Sequence, residues 1–131
     1  EEFQALRLQI DELEKALQQE GIPPHFRKYA VGLLESLKRA MFLFPIQGLQ
    51  PMRDAVRKAV ADANFDEEKL QEELAKDADK PAVKSVLTTL SSALKTAATT
   101  VGEGEKLMKG YGYMLEMAHK AGEFISNSVS P

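Results

Sequence analysis

Apolar residues recur every three or four positions through most of this chain, and each stretch that keeps the rhythm predicts an amphipathic helix. Phe3, Leu6, Ile10, Leu13 and Leu17 alternate spacings of three and four. That is a narrow heptad seam, and it predicts a helix over residues 2–20. Two to three heptads are short for a free coiled coil, so the seam packs within the domain or zips with another chain. Gly21 and the Pro23-Pro24 pair stop it.

A second helix is predicted over 24–44. Phe26, Tyr29, Ala30, Leu33, Leu34, Leu37, Ala40, Met41 and Phe44 form one face, with Arg27, Lys28, Glu35, Lys38 and Arg39 opposite. Its end, Met41-Phe42-Leu43-Phe44, is apolar all round and predicts burial on every side. Residues 45–51, bounded by Pro45 and Pro51, read as a loop. Pro51 then restarts a helix to about Ala63. Asp66 suits an N-cap for a short helix ending near Ala75, with Leu70 and Leu74 as anchors. Asp79 and Pro81 open the next helix, 81–101. One side of it is apolar (Val83, Val86, Leu87, Leu90, Leu94, Ala97), and the other is rich in Ser and Thr.

The last segment, 105–126, has the widest apolar arc. Leu107, Met108, Tyr111, Met114, Leu115, Ala118 and Ile125 share one stripe, and Tyr113, Met117, Ala121 and Phe124 lie beside it. So wide an arc predicts either the central helix of a bundle or a helix with a face kept for a partner. Gly102 and Gly104 predict a turn before it; the alternative is one long helix over 81–126. No stretch sustains the alternation of a strand. The expected fold is therefore all-α: a compact bundle of five or six helices, built from antiparallel helical hairpins. The domain covers residues 1–125, with 1–22 as a protruding or oligomerising helix and 126–131 as a frayed tail.

Charge changes this picture in one respect. The net charge is −3, but it is segregated. Residues 1–22 carry two basic and six acidic groups, residues 23–60 seven basic and two acidic, and residues 61–80 three basic and eight acidic. A basic middle between acidic flanks points to pairing within the protein before binding of nucleic acid, whose readers are usually basic overall. No cysteine is present, which excludes disulfide and thiolate chemistry. No apolar run approaches the roughly 20 residues of a membrane span. A cytoplasmic location is expected. The start at Glu1 suggests a piece of a longer protein.

Candidate chemistry is sparse. Glu116 and His119 form a lone Glu-x-x-His, whereas a dinuclear carboxylate site needs two such motifs and two further glutamates. Both also fall on the polar strip of their helix, as solvated side chains would. Asp77 and Asp79 lack the glycine and distal glutamate of a calcium loop. Gly102-Glu-Gly104 and Gly110-Tyr-Gly112 precede no Lys-Ser/Thr pair and follow no strand, so they are not phosphate loops. No catalytic residue, metal ligand or cofactor is expected.

What remains is a non-enzymatic protein-interaction or oligomerisation module. Leu6, Ile10, Leu13 and Leu17 on the first helix, with Met108, Tyr113, Met117 and Phe124 on the last, are the candidate partner-binding residues. Two rivals stand beside it: an anion-binding module that uses residues 27–58 on nucleic acid or acidic lipid, and a membrane-active bundle that opens to expose 105–125.

Overall fold

Three helices open on proline: Pro24, Pro51 and Pro81 each occupy the first or second helical position, where a missing N–H costs nothing. The structure, a computed structural model, describes residues 3–110, 112 and 116, without the side chains of Lys106 and Met108. Its elements are α1 (Gln4–Ala16), α2 (Pro24–Gln47), α3 (Gln50–Phe65), α4 (Glu67–Asp77), α5 (Pro81–Thr100) and α6 (Gly104–Gly110). Among the described residues there is no strand, and the fold is an all-α helical bundle.

The core is one contiguous cluster to which every helix contributes. α1 lies mainly along α5, α2 mainly along α3, and α4 rests on α2 and α3. α5 is buried most completely. Val83, Val86, Leu87, Leu90, Leu94 and Ala97 form its seam, and Lys84, Ser91 and Ala98 are buried beside them. Three of its hydroxyls are satisfied from within the helix, whereas the buried Ser91 hydroxyl has no partner among the described residues. The side chains of Thr88, Thr89 and Thr100 donate to the carbonyls of Lys84, Ser85 and Thr96, four residues back, at 2.8–2.9 Å.

The expected helix boundaries shift at several places, each for a local reason. α1 ends at Ala16 rather than near residue 20. Gln18 and Gln19 instead donate to carbonyls only three residues back, the tighter geometry of a closing turn. Asp66 occupies the N-cap of α4 and Lys80 that of α5, and neither makes a side-chain capping bond. The expected caps by Asp66 and Asp79 are therefore not formed.

The break between α5 and α6 is a Schellman turn. Gly102, at φ 74°, donates to the carbonyl of Thr99, and Glu103 donates to that of Ala98. The reading of residues 81–126 as one continuous helix is thereby excluded.

The largest departure is at the end of α2. Residues 45–47, expected as loop, continue the helix with Pro45 inside it. The chain turns only at Gly48, at φ 68°, whose N–H donates to the carbonyl of Phe44. Two residues later α3 has begun.

Candidate interaction surface

Several acids and bases hold helices together, whereas His119 lies outside the described residues and Asp77 pairs locally with Lys80. Proline at position 24 leaves His25 and Phe26 as the donors in the first turn of α2 that need acceptors. Both find the carboxylate of Glu73 on α4, Phe26 N to Oε1 at 2.8 Å and His25 N to Oε2 at 3.2 Å. The His25 imidazole reaches the same oxygen through Nδ1 at 2.9 Å. Burial of the Glu73 carboxyl works to raise its pKa. Hydrogen bonds from the His25 side chain, Phe26 N–H and His25 N–H, with the charge of His25, outweigh it and hold the group below its usual 4.5.

Glu103, buried just after the α5 turn, faces α3. Arg57 approaches at 2.7 Å and Arg53 at 3.8 Å, and Arg53 also donates to the carbonyl of Val101. This pins the start of α6 to α3. Lys38 pairs with Glu14, and Lys58 with Asp62. Several cations of the basic middle thus meet acids of the same chain. Among the described residues no group of three or more His, Asp or Glu side chains is placed to hold a metal.

Of the residues expected to bind a partner, Leu6, Ile10, Leu13 and Leu17 are all buried in the core. Their seam is covered chiefly by α5, so α1 packs on the bundle and these four side chains are not exposed to a second chain. The side chain of Met108, and Tyr113, Met117 and Phe124, lie outside the described residues. Around them, Leu107 is buried, while Gly112 and Glu116 are exposed.

Four large apolar side chains are exposed among the described residues, Leu8, Phe42, Ile46 and Phe65, and two of them are neighbours on one helix. Phe42 is 81% exposed and Ile46 86% exposed, one turn apart on the last two turns of α2. This overturns the expectation that Met41-Phe42-Leu43-Phe44 is buried all round: Met41, Leu43 and Phe44 are half-buried, and Phe42 faces out. The reason is helical phase. Phe42 follows Glu35, and Ile46 follows Arg39, by seven residues, so both prolong the solvent-facing strip of α2. The phase of Phe42 is already set within residues 24–44, and that of Ile46 follows once the helix runs through Pro45.

Behind the pair, the rings of Phe3 and Phe44 meet edge to face with centroids 4.9 Å apart. With Leu49 and Thr100 they line a cavity of about 210 Å³. A second cavity, about 300 Å³, runs beside Leu43 between α2 and α3, past Arg39, Gln47 and Pro51. Farther along the same two helices a groove of about 610 Å³ is lined by charges of both signs, Lys28, Lys58 and Lys69 against Glu35, Asp62 and Asp66. The mixed groove attracts no single sign of ligand. The corner where α2 meets α3 is open: it presents Phe42 and Ile46 beside a cavity that Arg39, Asp54 and Lys58 also line.

Compared with protein families, curated proteins and solved structures, the chain matches no family model, no curated protein and no solved structure. Among the described residues no helix is long and apolar enough to cross a membrane.

Proposed function

We propose that the protein is a non-enzymatic helical interaction module, and that it docks through the corner of α2 and α3. The observation that carries this reading is the outward placement of Phe42 and Ile46. Single exposed apolar residues are ordinary on a protein surface. Two large ones a turn apart, continuous with half-buried Leu43 and Phe44, are a patch of the kind found where a partner binds. The α1 seam, the rival interface, is consumed by the fold. Pairing of Lys38, Arg57 and Lys58 with acids of the same chain supports the view that nucleic acid is not the partner.

The reading requires that the two side chains be expendable for folding. Serine, phenylalanine and isoleucine differ little in helix propensity, so Phe42→Ser/Ile46→Ser probes the surface and not the helix. Its thermal stability should stay within about 0.5 kcal/mol of the parent. Binding of an environment-sensitive naphthalene sulfonate dye to the folded protein should fall. A loss of several kcal/mol in the double variant would mean that the pair serves the core, and the docking role would fall with it.

A further inference from the structure

The same corner carries a charge pattern that selects among partners. From Ala40 to Met52 the chain has thirteen residues without a single charge. This stretch holds Phe42 and Ile46, two of the four large apolar side chains exposed among the described residues, and the turn at Gly48. Cations stand at its two borders, Lys38 and Arg39 before it and Arg53 after it. Arg53 is committed to Glu103 and Val101, and Lys38 shares its ammonium with Glu14, both groups about half exposed. For Arg39, also exposed, no partner is found among the described residues.

We propose that this corner seats Phe42 and Ile46 in the interfacial layer of an anionic lipid bilayer, with Arg39 and Lys38 at the level of the headgroups. The proposal rests on the corner being a docking face, and it names what docks.

Area argues against a second copy of the chain. The two side chains offer on the order of 300 Å², whereas a standard protein interface buries about 800 Å² on each partner. A bilayer needs no matching surface. It takes up apolar side chains at a helix end and adds the attraction of anionic headgroups for nearby Lys and Arg. The net charge of −3 does not oppose this, because at physiological salt the headgroups feel charges within about 8 Å and little beyond. Among the described residues, acids near the corner include Glu35 one or two turns back on α2, Asp54, bonded to Gln50, Glu14, bonded to Lys38, and Glu103, paired with Arg53. Contact of this kind lies on the membrane and does not span it, in keeping with the absence of a spanning helix among the described residues.

The chain has no tryptophan, so Phe42→Trp installs a single reporter at the corner. Its emission should shift to the blue on mixing with phosphatidylcholine vesicles that contain phosphatidylserine, and shift less with phosphatidylcholine alone. In flotation with the same vesicles the unlabelled parent should float with the lipid. Phe42→Ser/Ile46→Ser should lower the partition coefficient tenfold or more, and Arg39→Gln roughly fivefold, at unchanged melting temperatures. Failure of the parent to float with either vesicle, or equal flotation of parent and double variant, overturns the proposal. Sedimentation supplies the remaining outcome: a parent that self-associates, with the double variant monomeric, gives the corner to a second copy. In that case the docking role survives and the lipid assignment does not. If dye binding is also unaffected by the double change, both fall.

Discussion

Glu73 on α4 accepts the backbone N–H of Phe26 at 2.8 Å and so caps a helix that begins 49 residues earlier. The N-cap position of α2 is Pro23, which has no side-chain acceptor, and Pro24 has no N–H. A single carboxylate from another helix therefore satisfies both remaining first-turn donors. It sits where the helix dipole favours negative charge. Glu73→Ala should cost about 0.5–2 kcal/mol, the range for removal of an N-cap acceptor. Chemical denaturation at neutral pH checks it.

The same contact makes stability depend on pH in a defined direction. The folded carboxyl is held below its usual 4.5, so the folded state binds its proton less readily than the unfolded chain. The stabilisation is complete above about 4.5 and is lost as pH falls through the lower folded value. Denaturation midpoints measured from neutral pH downwards should fall below 4.5, and Glu73→Gln should flatten part of that slope. A slope identical in parent and variant would show that other carboxyls govern acid unfolding.

Two glycines should respond to alanine with opposite signs. Around both Gly102 and Gly32 a Cβ would meet nothing within 4 Å, so space does not distinguish them. Backbone does. Gly102 sits at φ 74°, where L side chains are strained, and Gly102→Ala should destabilise by about 1 kcal/mol. Gly32 lies within α2, and Gly32→Ala should stabilise by up to about 1 kcal/mol. Paired thermal melts decide the matter.

The seam of α1 should behave as core and not as a dimer contact. Leu13 and Leu94 are both fully buried. Leu94→Ala should lose about 3–5 kcal/mol, the range for buried leucine truncations. Leu13→Asp should lose at least as much, because it leaves an unpaired carboxylate among apolar side chains. For the parent, unfolding that is independent of protein concentration would confirm that the seam is satisfied within one chain.

Much of this fold was legible because its signals are local. Period 3.6 marked α1 and α5, and the residues that it placed inward, from Leu6 to Leu17 and from Val83 to Ala97, are the buried ones. The turn at Gly102 was legible for the same reason. What escaped was tertiary or ambiguous. No local pattern ties Glu73 to Phe26, or Glu103 to Arg57. Spacing showed that α1 has a seam but not which surface covers it. At the end of α2 two local signals conflicted. Pro45 read as a terminator, and four successive apolar residues read as core. The candidate surface lies where both were misread.

That proline yields the last expectation. Pro45 offers no N–H to the carbonyl of Met41, and its ring crowds the preceding turn; within a helix such a residue costs about 3 kcal/mol relative to alanine. Part of the cost is returned, because proline also restricts the unfolded chain, by about 0.4–1 kcal/mol. Pro45 is exposed, so no packing is lost on replacement. Pro45→Ala should therefore stabilise the protein by about 2 kcal/mol, seen as a higher denaturation midpoint at unchanged slope. It should also tighten the backbone between Phe42 and Gly48, lowering amide hydrogen exchange across the end of α2. If stability instead falls, the fixed φ of the ring is needed to aim the corner. In that case exchange at Phe42 and Ile46 should rise rather than fall.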